Sequence, residues 1–160
     1  MQTLGAVAGY LEKGRVHCAA SGIDSKEIVD TRLIPDMLPL RFQVVSVAHH
    51  SLGAIKGVEA GVFSPPPAGP ELDYEGLQKL VENARTGLQA YTRESCDAFA
   101  GKEMAFKMGE RSMPFLAEDF LMTFSLPNFY FHAATAYNIL RMKGVPIGKR
   151  DFMGQMRLKK

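Results

Sequence analysis

Histidine is the residue type in this chain best suited to hold a metal ion or to move a proton near neutral pH, and the sequence contains four. His132 is predicted at the edge of an apolar helix face, but one turn later, where a second ligand to the same ion would stand, the residue is Ala136. His49 and His50 are predicted more than a quarter turn from the centre of their own helix's apolar stripe, at the surface or at an interface. We therefore predict no metal site and interpret His132 as a histidine satisfied by hydrogen bonds. The weaker alternative is a metal bound by His132 together with His49 or Gln43.

The two cysteines add no further candidate. Cys18 and Cys96 form neither a CxxC pair nor a disulfide framework, and Cys18 falls on the apolar stripe of the first predicted helix, so we interpret both as structural thiols. The GxSxG, Walker, HExxH and dinucleotide-binding glycine patterns do not occur. The sequence thus predicts no catalytic residue and leaves open whether the chain is an enzyme.

A second group of polar residues is predicted at the ends of the helices and at the edges of the core. Together with His132 they form the candidate ligand-binding set, which comprises Arg32, Asp36, Tyr130, Tyr137 and Arg141. In a structural interpretation, the arginines pair with Asp36 or Asp151 and fix the connections that cross the helix ends. In a functional interpretation, the arginines and tyrosines form the mouth of a site for a small anion or carboxylate. Both interpretations stay open.

Apolar residues at three- and four-residue spacing predict four main helices that would position these groups. Their bounds are residue 2 to about 20, Met37 to Gly61, Asp73 to about Phe99, and Phe124 to Gly144. Asp36, Asp73 and Ser125 are expected to cap the last three. Shorter helical turns are predicted at residues 25–29 and 117–123.

Three connections complete the predicted architecture. Ser64–Pro70 is a proline-rich connector of the polyproline type. The alternation of Met104, Phe106 and Met108 with polar or small residues, followed by a turn at 109–112, predicts a small β-hairpin between the third and fourth helices. Residues 145–152 are expected to pack back against the helices.

Two stretches resemble an uncharacterised domain family. Residues 126–132 (LPNFYFH) with 139–152 (ILRMKGVPIGKRDF), and residues 32–44 (RLIPDMLPLRFQV), are similar to signatures of DUF1993, a domain of unknown function in the DinB-like superfamily of four-helix bundles. The resemblance implies an all-α fold, a DinB-like four-helix bundle with the predicted hairpin between helices 3 and 4. It also implies a three-histidine metal site, with one histidine on helix 2 and two on helix 4, for which this chain lacks the ligand at Ala136.

Length and composition predict one soluble globular domain, which we assign to residues 1–154, followed by a basic tail at 155–160. Nineteen basic and seventeen acidic residues leave a formal net charge of +2, which is too balanced to favour nucleic-acid binding. The sequence has neither an apolar run of about 18 residues nor a secretory signal, so we expect a cytoplasmic protein without a membrane partner.

We therefore predict a non-catalytic protein that binds a small molecule between its helices, or a structural homodimer whose copies meet through the helix face bearing His49, His50 and Gly53. The alternative, suggested by the resemblance, is a metal-dependent hydrolase or thiol transferase with a degenerate metal site for a divalent ion such as Zn or Ni. Otherwise no cofactor is predicted, and the expected partners are a second copy of the chain and a small-molecule ligand.

Overall fold

The structure, a computed structural model, describes residues 1–66 and 71–159. These ranges are mostly helical and carry a small three-stranded sheet, so the expectation of an all-α fold with a hairpin needs one correction, a third strand. The α-helices are α1 (Gln2–Ser21), α2 (Ser25–Asp30), α3 (Leu40–Ala48), α4 (Ala54–Ala60), α5 (Tyr74–Leu88), α6 (Arg93–Asp97), α7 (Ala117–Asp119), α8 (Leu126–Met142) and α9 (Lys149–Met153). Two π-helical turns are π1 (His49–Gly53) and π2 (Phe120–Ser125), and the strands are β1 (Val62–Phe63), β2 (Glu103–Met108) and β3 (Arg111–Leu116).

The second predicted helix begins later than expected and is interrupted. Asp36 does not cap it, because Pro39 disfavours helical backbone at Leu38, and α3 starts directly after that proline. After α3 the chain passes through π1 before it continues as α4. A π-turn holds one more residue than an α-turn. The side chains that follow it therefore point in directions different from those of the regular α-helix assumed in the sequence analysis.

The third predicted helix ends earlier than expected. Its predicted cap is confirmed, since the Asp73 carboxylate accepts a 2.8 Å hydrogen bond from the Gly76 amide. The helix stops at Leu88 instead of continuing to Phe99. Downstream, the Thr92 hydroxyl accepts a 3.2 Å hydrogen bond from the Ser95 amide and caps the separate helix α6.

The fourth predicted helix is longer than expected at its start. Helical backbone runs without interruption from α7 through π2 into α8, so Ser125 lies inside this path and makes no side-chain capping bond. The end is as predicted, with Gly144 in the left-handed conformation at φ 83°. The predicted inner face is buried, and it comprises Phe129, Ala133, Ala136, Ile139 and Leu140.

The predicted hairpin is present, and its turn has the expected chemistry. β2 and β3 are antiparallel and joined by Gly109 and Glu110, of which only the glycine has a positive φ, 60°. Pro114 fits β3 because that strand lies at the edge of the sheet. The unpredicted strand β1 pairs with β2 in parallel. Two residues are too few to show an alternating pattern in the sequence.

Buried apolar side chains form two clusters within the described residues. The larger lies among α1, α3, α5 and α8, and the smaller lies between the sheet, α4 and π2. The segment after α8 packs back as predicted, with Val145 and Ile147 buried and a 2.6 Å ion pair between Lys13 and Asp151. Residues 67–70 of the proline-rich connector and Lys160 of the basic tail lie outside the described residues. Across residues 1–66 and 71–159, the structure contains no helix with the length and apolarity needed to cross a membrane.

Candidate functional site

Helix α3 packs against α8, and this contact continues at π1 and π2. Two side-chain pairs cross it: Gln43 meets His132, and His50 meets Ser125. Gln43 and Ser125 are buried, while the histidines are half-buried. These four side chains, which we call the histidine seam, place polar groups in the contact between the two helical paths. π-Turns in helices frequently occur at functional sites.

Hydrogen bonds determine which ring nitrogen of His132 carries the proton. The Gln43 amide nitrogen donates to the Leu38 carbonyl at 2.7 Å, and this contact orients the amide. The Gln43 amide oxygen, Oε1, then lies 2.8 Å from His132 Nδ1. Because this oxygen can only accept a hydrogen bond, Nδ1 must carry the hydrogen. The neutral ring is left with an unprotonated Nε2.

The same reasoning applies to His50. The Ser125 hydroxyl lies 3.1 Å from the His50 carbonyl oxygen, which can only accept, so the hydroxyl hydrogen is donated there. Ser125 Oγ is then an acceptor towards His50 Nδ1 at 3.3 Å, and Nδ1 carries the ring hydrogen. His50 therefore also has an unprotonated Nε2.

His49 is held in the opposite tautomer and in another environment. Its Nε2 lies 2.7 Å from the Ser64 carbonyl oxygen and must donate, and its ring stacks on Phe63 with centroids 4.3 Å apart. His49 and His50 are therefore half-buried instead of fully exposed, and their place at an interface stays a prediction. Both lie in π1, where the extra residue in the turn carries them out of the positions calculated for an α-helix, towards β1 and π2.

Burial favours the uncharged form of these three imidazoles. Removal from water lowers the pKa of His49 and of His132, because desolvation penalises the charged ring. Burial, together with the neighbouring His49 and His132, lowers the pKa of His50 to about 4. Neutral imidazoles with an unprotonated nitrogen can accept a hydrogen bond or bind a metal ion.

The ligand set for a divalent metal is incomplete. His50 and His132 have near-parallel rings, 16° apart, with centroids separated by 6.0 Å. Among residues 1–66 and 71–159, no cluster of three His, Cys, Asp or Glu residues could hold a metal ion. His132 meets His50 and not His49, and Gln43 is committed to hydrogen bonds. The residues present therefore do not fit the three-histidine site that the DinB-like resemblance implies.

The two arginines of the candidate ligand-binding set donate hydrogen bonds to backbone carbonyls in the segments that connect the helices. Arg32 donates to the Met37 carbonyl at 2.6 Å, and Arg141 donates to the Ile147 carbonyl at 2.7 Å. The expected pairing of either arginine with Asp36 or Asp151 does not occur in the described chain, since Asp151 pairs with Lys13. Backbone carbonyls at the turns are closer partners than the carboxylates, and the arginines thereby brace the turns at the helix ends.

The remaining members of the set do not converge on one site. Tyr137 is half-buried and packs edge-on against Tyr10 and Phe152, with ring centroids 6.1 and 5.7 Å away. Tyr130 and Asp36 are exposed. Within residues 1–66 and 71–159, no hydrogen bond joins two members of the set that comprises Arg32, Asp36, Tyr130, His132, Tyr137 and Arg141.

A cavity that the sequence analysis did not locate lies between α3, π1 and α5. It has a volume of about 670 Å³, and Phe42, Val45, Ala48, Leu52 and Ala84 are among the residues of its mostly apolar wall. His49 also lines it, so the cavity borders the histidine seam. Apolar residues outside the predicted stripe, such as Phe42 and Val45, were the available signal, but a sequence does not show which two helices stand side by side.

The helix face expected to form a homodimer is partly covered by the chain itself. His49 and His50 both lie against Phe63, and each is hydrogen-bonded within the chain. Several large apolar side chains elsewhere on the helical surface are exposed, namely Met122, Phe131 and Met142. Dimerisation stays a prediction.

Comparisons with known proteins agree with the fold. A family described as "Domain of unknown function (DUF1993)" matches residues 1–153. A crystal structure of a DinB family member protein from Shewanella denitrificans superposes with a TM-score of 0.77 at 21% sequence identity, covering 99% of this chain and 89% of the other. At that identity the likeness concerns the fold alone. No curated protein matches the sequence.

Proposed function

Because the chain belongs to the DUF1993 family, a domain whose description names no activity, we propose its function from the cavity: the protein binds a small, mainly apolar molecule between α3, π1 and α5. The observation that carries this proposal is the size and composition of the cavity. At about 670 Å³, it lies within the range of about 300–1,000 Å³ that is usual for small-molecule sites.

The lining favours an apolar ligand body. Besides the five residues already named, the apolar part of the wall comprises Pro39, Pro66, Leu72 and Leu80. Apolar walls supply most of the affinity in such sites, and a few polar groups orient the ligand. Here Asn83 and His49 are the uncharged polar groups on the wall.

Charges at the two ends of the cavity differ. Near Pro39, the Arg41 guanidinium pairs with Asp30 and, at 2.9 Å, with Glu71, so its charge is already compensated. Lys56 lines the opposite part of the wall, fifteen residues further along the same helical path, and none of the ion pairs within residues 1–66 and 71–159 involves it. A ligand with an apolar body and one acidic group would place that group at Lys56.

The proposal is tested by filling the cavity. Val45 is half-buried in the wall, so Val45→Trp should occupy the space without removing a fully buried core residue. The probe is anilinonaphthalene sulfonate, an apolar fluorophore with one anionic group. We expect the native chain to bind it saturably and Val45→Trp to lose that binding. Lys56→Gln should weaken it.

The matched control is Val16→Trp, which places the same side chain on an exposed position of α1. It should bind the probe as the native chain does. Circular dichroism and thermal unfolding are measured for all variants, because a variant with a loosened core would bind the apolar probe outside the cavity. Equal binding by Val45→Trp and Val16→Trp, with both folded, would refute the cavity as the ligand site.

A further inference from the structure

The cavity wall contains one polar group whose orientation and tautomer are both fixed, the imidazole of His49. Its Nε2 lies 2.7 Å from the Ser64 carbonyl oxygen, and its ring stacks on Phe63 with the planes 28° apart. Because the carbonyl oxygen can only accept a hydrogen bond, Nε2 carries the hydrogen. In the uncharged ring, which burial favours, Nδ1 then has a lone pair that can accept a hydrogen bond.

This second ring nitrogen has no partner in the protein and is not closed off. Nδ1 of His49 makes none of the hydrogen bonds found within residues 1–66 and 71–159. In the same ranges, the fully buried side-chain nitrogen and oxygen atoms that lack a partner are Nε of Arg41 and Nε of Arg85, so Nδ1 of the half-buried His49 is accessible. An acceptor that is already oriented binds a donor at little further cost in side-chain entropy.

Gly53 leaves room beside this nitrogen. Gly53 and His49 both line the cavity, and a Cβ atom at Gly53 would stand 3.0 Å from His49 Nδ1 but 3.6 and 3.7 Å from Cγ and Cε1 of the same ring. The φ angle of Gly53 is −60°, an ordinary helical value, so its backbone conformation does not require a glycine. The missing side chain therefore opens a space next to Nδ1, on the part of the wall that Gly53 forms.

We propose that His49 Nδ1 accepts a hydrogen bond from a hydroxyl group of the bound molecule, which makes the ligand a hydroxylated organic acid with an apolar body. The inference rests on the proposed function, which places an acidic group at Lys56. His49 and Lys56 both line the cavity and are seven residues apart on one helical path, so their backbone positions are separated by about 10 Å. A hydroxyl fits this wall better than an ammonium donor, because a charged group would be desolvated against apolar side chains.

The test compares 6-hydroxy-2-naphthoic acid with 2-naphthoic acid, two apolar acids that differ only in a hydroxyl group at the end opposite the carboxylate. Both are titrated into the full chain at pH 7 by calorimetry. We expect the hydroxylated acid to bind the native chain about 2–10-fold more tightly, which is the effect of one hydrogen bond. In His49→Phe, which keeps an aromatic ring beside Phe63 but lacks the acceptor, the two acids should bind equally. Gly53→Ala should reduce the preference, because the added methyl group crowds Nδ1.

His17→Phe is the matched control and should keep the native preference, since His17 lies on α1, whereas the cavity lies between α3, π1 and α5. The preference is a ratio of affinities within one variant, so a general change in the cavity cancels. Equal binding of both acids by the native chain, lost in Val45→Trp, would overturn this inference and leave the proposed function standing. A preference that persists in His49→Phe would also overturn it. If neither acid bound the native chain, the proposed function would fail, and this inference with it.

Discussion

Replacing Gln43 by leucine is the sharpest test of how the histidine seam is built. Gln43 is only 2% exposed, and its amide joins α3 to α8 through His132 while it also holds the Leu38 carbonyl. Leucine has a similar volume and cannot make either bond. The change therefore removes the polar link without opening a large cavity.

The expected loss follows from the two hydrogen bonds. At about 0.5–1.5 kcal/mol each, their removal lowers the free energy of unfolding by about 1–3 kcal/mol. The added apolar surface of the leucine returns roughly 1 kcal/mol. We therefore expect a net destabilisation of about 0–2 kcal/mol.

The assay is urea unfolding at pH 7, combined with a double-mutant cycle. Gln43→Leu and His132→Phe are measured singly and together, since phenylalanine keeps the ring but not the nitrogen. A coupling free energy of about 1 kcal/mol is expected if the two side chains share one bond. Gln78→Leu is the control, because Gln78 bonds the exposed Glu12 and should lose little. Additive single effects, with no coupling free energy between the two substitutions, would refute the reasoning about the seam.

Further predictions concern the same site and the second apolar cluster. Nitrogen-15 spectra of the imidazoles at pH 7 should show His50 and His132 protonated at Nδ1 and His49 at Nε2; the reverse pattern would contradict the hydrogen-bond assignment. The pKa of His50 in the folded chain, about 4, lies below its unfolded value of about 6.5. The unfolded state therefore binds more protons between these values, and the free energy of unfolding should fall as pH drops from about 6.5 to about 4. His50→Gln should flatten this dependence, and an unchanged pH profile would count against it. Phe120→Ala should lower the free energy of unfolding by about 3–5 kcal/mol because Phe120 is fully buried under the sheet, whereas Phe131→Ala at an exposed position should change it little; similar losses would argue against the placement of the second core.

Much of the fold could be predicted from local sequence patterns. The apolar face of α8, the Asp73 cap and the Gly109 hairpin were all predictable, because helix periodicity, side-chain capping and glycine's positive φ depend on residues within a few positions of each other. Family signatures in residues 32–44 and 126–152 likewise indicated the superfamily before any contact was known.

The errors have a common physical cause. The interruption of helix two by π1, the early end of α5 and the strand β1 are set by what each segment packs against. The insertion of one residue in π1 does not change the composition of the helix, but it turns His49 and His50 away from the positions that a regular 3.6-residue period assigns. The weaker alternative of the sequence analysis paired His132 with His49 or Gln43, whereas in the structure the ring beside His132 is that of His50.

By itself the sequence determined a mostly helical chain of the DinB-like type and singled out His132 at the edge of a buried face. Only the tertiary structure decided that Gln43 and His50 are its neighbours, that the arginines brace turns, and that an apolar cavity opens between α3 and α5. The physical reason is the distance along the chain between the residues that interact. Periodicity and caps are local along the chain, whereas Gln43 and His132 meet only because two helices pack with a particular register, and that register depends on side chains from the whole core.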